Sequence, residues 1–294
     1  MNSLTILLTL SWYPFLLAAG VFMVTLVIAM YSTYAERKFA AFFQDRLGPN
    51  RAGPFGLLQP LADGVKMFMK EEIIPTVSNK FLFILGPSLF MITSLMTSAV
   101  IPWGADLNIG GEVYPLQVAD INIAVLYLLG VTSIGVYGIM IGGWSSNNKY
   151  SLFGALRASS QMISYEVAMG ISVVTLIMLS GTLSTSGIVE QQHGFWEDGW
   201  FTWNFFKNPV TFLIFFICAL AETNRTPFDL PESETELIGG YHTEFSSMKL
   251  GLFLFGEYIN MFVSSAIMAM FFFGGYNYPW MDKIADPNIQ ALVG

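Results

Sequence analysis

The chain has 294 residues, 54% of them hydrophobic and 12% charged, with a formal net charge of −8. That balance excludes an ordinary soluble globular domain, and an acidic membrane chain is no candidate for nucleic-acid binding. One cysteine, Cys218, excludes an intrachain disulfide and a thiolate iron–sulfur cluster. The two histidines, His193 and His242, fall on opposite sides of the membrane by the charge bias of the loops, which leaves no pair of haem ligands.

In chain order, the first apolar block covers 12–34 and meets the roughly 20 residues needed to cross about 30 Å of hydrocarbon. Met1–Ser3 carry no Lys or Arg, and the block is too long for a signal-peptide core, so it reads as a retained span. The segment 36–75, "ERKFAAFFQDRLGPNRAGPFGLLQPLADGVKMFMKEEIIP", has a different texture. Phe39, Phe42 and Phe43 share one side of a short helical pattern, with Arg37, Lys38, Gln44 and Asp45 towards another. "GPNRAGPFG" breaks the helix, and Leu57, Leu58, Leu61, Val65 and Phe68 then resume a shared apolar face. The pattern predicts a broken amphipathic helix lying in the interface plane, with a solvated loop as the alternative.

Blocks at 81–101 and 121–144 are further spans. The block at 152–180 carries Arg157, Gln161 and Glu166 within its length. At about 100° and 1.5 Å per residue, Arg157 and Glu166 face roughly opposite sides some 13 Å apart, so they cannot pair with each other. Glu166 therefore needs a proton, water or a partner on another helix; it is a functional candidate, the alternative being a structural interhelical contact. The block at 205–224 is short, with about a dozen apolar residues before Glu222. It must either begin in 201–206 or run on through Glu222, Thr223 and Asn224 until Pro227 ends it.

The acidic loop 223–247 gathers Asp229, Glu232, Glu234, Glu236 and Glu244 against Arg225 alone. Pro227 and Pro231, with Phe228 and Leu230 between charges, predict a fixed conformation suited to function or docking rather than a plain solvated face. In the last block, 248–276, Glu257, Asn260 and Ser264 stand at i, i+3 and i+7 as one polar stripe. Such a stripe faces the bundle interior or forms a polar seam between helices. The whole is predicted to be a single all-α polytopic membrane domain, 1–294, with about six transmembrane helices.

Seven of the 13 Lys and Arg follow the first span, and only Lys207 and Lys283 fall on the opposite side. The positive-inside bias puts the N-terminus outside and the 35–80, 144–151 and 223–248 loops in the cytoplasm or its equivalent. No strand pattern, Walker A loop, GxGxxG or HExxH occurs. What remains is Glu166, Glu222 and Glu257 on three spans: carboxylates in low dielectric, able to exchange protons near neutral pH.

Four stretches, the 36–72 segment, "RASSQMISYE", "AETNRTPFDLPESETELIGGYHTEF" and "LFGEYIN", resemble the quinone-site membrane subunit of respiratory complex I. The resemblance runs from about Trp12 to Tyr276, in order and at compatible spacing. It implies a subunit at the heel of the membrane arm, contacting other membrane-arm subunits and the quinone module of the peripheral arm. It further implies quinone as substrate, FMN and iron–sulfur clusters in partner subunits, and no cofactor or metal in this chain. Arg37 and Lys38 would line the chamber entrance, Phe39 and Phe43 would give apolar wall, and Asp63 would sit near the chamber. Arg225, Phe228, Asp229 and Glu232 would border its upper part. Glu166, Glu222, Glu234 and Glu257 would belong to the proton path, with Arg157 and Gln161 tuning charge beside Glu166.

Family members usually have eight transmembrane helices; this sequence ends at Gly294, after "YNYPWMDKIADPNIQ". A bacterial inner membrane is the first expectation, with a mitochondrial inner or thylakoid membrane left open. Two other classes remain in play: the homologous membrane subunit of an energy-converting [NiFe]-hydrogenase, and a stand-alone proton or ion transporter.

Overall fold

Hydrocarbon offers no hydrogen-bond partners, so a chain this apolar can cross it only as segments that satisfy their own backbones. The computed structural model, which describes residues 3–109, 112–192, 202–231 and 234–277, is accordingly almost all helix. Helix α1 (Ser3–Phe43) runs 41 residues without interruption, about 60 Å. That is roughly twice the hydrocarbon thickness, so it protrudes from the membrane. Arg37, Lys38, Phe39 and Phe43 therefore ride on the last turns of the spanning helix, not on a separate in-plane piece. "YAERKFAAFF" contains no glycine or proline to stop it. The stop comes at Asp45, in the left-handed region at φ 52°. Arg46 N–H then bonds Ala41 O at 2.9 Å and Asp45 N–H bonds Phe42 O at 3.2 Å, the paired bonds of a Schellman cap.

The glycine-rich turn leads to α2 (Gln59–Met69), whose Leu61, Val65 and Phe68 stay exposed along one side. Helix α3 (Lys80–Thr97) starts at Asn79, whose side chain accepts from Phe81 N–H at 3.1 Å. Strands β1 (Leu107–Ile109) and β2 (Glu112–Tyr114) then pair antiparallel, Leu107 opposite Tyr114. Three residues per strand are too few to display an alternating pattern, which is why the hairpin escapes a sequence reading. Helix α4 (Ala124–Ser145) and α5 (Lys149–Ser180) follow, then α6 (Thr185–Glu190).

The fifth apolar block is a broken pair, α7 (Asn204–Lys207) and α8 (Pro209–Glu222). Asn208 separates them and caps α8 by accepting from Thr211 N–H at 3.2 Å. At 14 residues α8 is about 21 Å long, too short to cross alone. It stops at Glu222 before Pro227 is reached. Asn224 takes the left-handed conformation at φ 51°, Arg225 N–H bonds Leu220 O and Asn224 N–H bonds Ala221 O, both at 3.4 Å. The arrangement repeats the Schellman cap that ends α1. One turn of helix, α9 (Glu234–Leu237), precedes α10 (Ser247–Phe272). Among the described residues five helices are long and apolar enough to span, α1, α3, α4, α5 and α10, with α8 as a shorter sixth.

The core sits where α4, α5, α8 and α10 converge, through Val125, Leu128, Met169, Val173, Phe215, Ile259 and Val263. A second cluster joins Phe83, Phe90, Met162 and Phe253 to Tyr241 and Phe245, so the end of the acidic loop is anchored in the bundle. Helices α3 and α4 meet backbone to backbone: a Cβ on Gly86 would stand 2.9 Å from Gly142 Cα. Close approach of this kind replaces the hydrophobic drive that lipid removes. Gly86→Val is expected to force α3 from α4 and to lower stability by about 1–3 kcal/mol. Thermal unfolding of the purified complex in detergent measures this; an unchanged midpoint would contradict the close packing.

Candidate functional site

Three carboxylates enter the interior from three helices. Glu166 of α5 accepts a hydrogen bond from Ser133 Oγ of α4. Glu222, the last residue of α8, lines a small cavity of about 40 Å³ together with Thr97, Thr132, Thr223, Asn260 and Ser264. The rest of that lining is apolar and comes from α4, α5, α8 and α10. Glu166 lies within electrostatic range of Glu222. Glu257 of α10, only 8% exposed, accepts from Tyr241 Oη at 2.5 Å. Because Asn260 and Ser264 open on the same cavity as Glu222, the polar stripe of α10 is turned into the bundle.

A second group forms where α1, α2, α10 and the turn after α8 meet. Arg37 donates to Asp63 at 2.5 Å, and Gln59 and Lys66 hold the same carboxylate from within α2. One residue earlier, Glu36 accepts from Arg225 at 3.1 Å and from Tyr258 Oη at 2.6 Å. The Arg225 guanidinium also lies over the Tyr258 ring, 4.6 Å from its centre. Glu36 and Tyr258 escaped sequence reasoning, although each adjoins a chosen residue, Arg37 and Glu257. Only the crossing of α1 and α10 makes them partners.

The other candidates scatter more widely. Lys38 donates to Leu47 O at 3.2 Å and helps hold the turn after α1. Phe39 and Phe43 are 67% and 85% exposed, so within this chain they offer an outward apolar surface, not an enclosed wall. Arg157, expected beside Glu166, instead donates to Glu236 of α9 at 2.6 Å, as nine residues of helical rotation require. Gln161 donates to Ala221 O at 3.0 Å and to Phe228 O at 2.9 Å, tying α5 to the end of α8 and to its turn. Phe228 packs edge-on against Tyr165, 5.1 Å between ring centres. Asp229 is exposed on that turn. Glu234 opens α9, and Glu232 lies outside the described residues.

The strap after α2 is fastened to the start of α10 by contacts no sequence pattern announced. Lys249 pairs with Glu72, Ile73 N–H bonds Ser246 Oγ at 3.1 Å, and Ser247 Oγ donates to Met67 O at 3.1 Å. Thus α2 is tied to α1 at Asp63 and to α10 at Met67, and the strap after it is tied to α10 at Glu72 and Ile73. Lys249→Met is expected to loosen the strap alone: hydrogen exchange should accelerate across 67–77 while α5 keeps its protection. Equal exchange in variant and parent would remove Lys249 from that role.

Comparison with known proteins adds a family. The model described as NADH dehydrogenase matches residues 16–293. An NADH-quinone oxidoreductase subunit of Cytophaga hutchinsonii is 64% identical over 280 residues, 95% of this chain and 80% of that one. Its counterpart from Flavobacterium johnsoniae, also named as an NADH-quinone oxidoreductase subunit, is 62% identical over 277 residues, covering 93% and 77%. NADH-quinone oxidoreductase subunit 8 of Rhodothermus marinus is 50% identical over 272 residues, covering 91% and 76%.

Proposed function

Because the chain belongs to the NADH dehydrogenase family, we propose that it forms the membrane side of a quinone chamber and starts the carboxylate path that couples quinone reduction to proton translocation. It acts as a membrane subunit of a proton-translocating NADH-quinone oxidoreductase, with redox centres in partner subunits. The observation that carries this reading is the continuity of two polar groups. Glu36, Arg37, Asp63, Arg225 and Tyr258 gather at one end of the bundle. The interior carboxylates adjoin it through shared elements: Glu222 ends the helix that leads into Arg225, Glu257 precedes Tyr258 on α10, and Gln161 of α5 holds the Arg225–Phe228 turn. The relatives' names favour this reading over a hydrogenase component or a lone transporter.

The chemistry follows from charge. Reducing a quinone to a quinol takes two electrons and two protons, and electrons arriving ahead of protons leave negative charge on the ring. Arg37 and Arg225 are the cations placed to meet it, each already sharing a carboxylate. A unit charge at about 10 Å shifts a neighbouring group by about 1–2 kcal/mol at an effective dielectric near 20. That is about one pKa unit, enough to change the protonation of a partly buried carboxylate. Glu222, within electrostatic range of Glu166 and open to the polar side of the cavity, is the group through which the change passes inward. By the positive-inside bias, the cluster lies on the cytoplasmic side and the N-terminus on the outer side of a bacterial inner membrane.

Glu222→Gln keeps the shape and removes the titrating proton. In proteoliposomes it is expected to cut quinone-coupled pumping at least tenfold, to the order of one lost proton-transfer group. Electron transfer from NADH to an artificial acceptor should be unchanged. Parental pumping in that variant would take Glu222 out of the path. Arg37→Ala is expected to raise the apparent KM for quinone by about tenfold, the worth of a charge-assisted hydrogen bond. An unaltered KM and unaltered inhibitor binding would reassign Arg37 to lipid contact.

A further inference from the structure

Between α5 and the end of α8, two buried amides each keep one atom without a partner. Gln161 is 8% exposed and Asn224 is 6% exposed. Gln161 Nε2 spends its two hydrogens on Ala221 O and Phe228 O, which fixes the orientation of that amide. Asn224 presents its Oδ1 to the same nitrogen at 3.4 Å, which turns its Nδ2 away. The atoms left over, Gln161 Oε1 and Asn224 Nδ2, are buried and have no hydrogen-bond partner among the described residues. Amide covalent geometry puts them no more than about 8 Å apart.

Their chemistry selects the ligand. An anion would need several donors and a cation several acceptors. One neutral acceptor facing one neutral donor is the complement of water, which donates to the first and accepts from the second. Residue 224 sharpens the point, because its left-handed conformation is the one glycine adopts without a Cβ penalty. The amide is therefore what asparagine adds to the cap. We propose that Gln161 and Asn224 form a binding site for one or two buried water molecules beside Glu222, joining the Arg225–Phe228 turn to the interior carboxylates. The joining role rests on the proton-path reading above; the site itself does not.

A density map of the assembled complex, at a resolution that shows other buried waters, tests the site. Density within hydrogen-bonding distance of both atoms is expected. Its absence, or a neighbouring subunit's side chain in its place, overturns the proposal. Asn224→Gly tests the role, since the helix cap survives that change. It should remove the density and lower quinone-coupled proton translocation about fivefold, the worth of one lost hydrogen-bonded link, with NADH oxidation by an artificial acceptor unchanged. Parental coupling in Asn224→Gly overturns the joining role. Were Glu222→Gln to pump normally while the water density persisted, the proton path would fall and the water site would stand.

Discussion

A polar group placed at membrane depth must find its partner within the bundle, in another residue or in water held there, and the arrangement of this bundle answers to that one requirement. Bulk water is not there to solvate a stray carboxylate or the last carbonyls of a helix. Glu166 therefore sits where Ser133 of a neighbouring helix can donate to it, and Glu257 sits against the Tyr241 hydroxyl. The same rule reaches the backbone: the Ala221 carbonyl at the end of α8 accepts from both the Asn224 backbone N–H and the Gln161 side chain. A helix can stop at depth only because these groups are supplied.

Where helices stop decides where chemistry can happen. Both α1 and α8 end in a Schellman cap built on a left-handed Asp or Asn, and the cap of α8 delivers the chain into the polar cluster at Arg225. The early end of α8 leaves Glu222 at the cavity and lets Arg225 turn towards Glu36 on α1. Had the helix run on to Pro227, Arg225 would have faced elsewhere on its surface. Local backbone conformation, packing and the charge arrangement are thus one fact seen at three scales.

The acidic loop is best understood as a series of separate attachments. Glu236 takes Arg157, Glu244 accepts from Asn148 at 2.5 Å, and Tyr241 and Phe245 bury their rings among Phe83 and Phe253. Phe83 and Phe245 stack with centres 4.1 Å apart. These contacts come from α3, α5 and α10, so residues 236–245 are held by several helices at once.

Much of this was legible in the sequence. Span-length apolar blocks, the Gly-Pro break after the first of them, the opposite facing of Arg157 and Glu166, and the inward stripe of Glu257, Asn260 and Ser264 follow from composition and helical periodicity, which are local properties. The length of α1 was not, because nothing marks whether an amphipathic turn continues the helix before it or lies apart. Nor was the end of α8, since proline is a conspicuous stop signal and a left-handed asparagine is not. Pairings between distant residues were out of reach altogether: Arg225 with Glu36 spans 189 positions and Ile73 with Ser246 spans 173. The sequence by itself determined which segments enter the membrane and which charges must be matched there, because hydrocarbon penalises each residue in its own place. Only the tertiary structure decided which charge matches which, because partnership depends on how helices cross, and crossing is settled by packing between segments far apart in the chain.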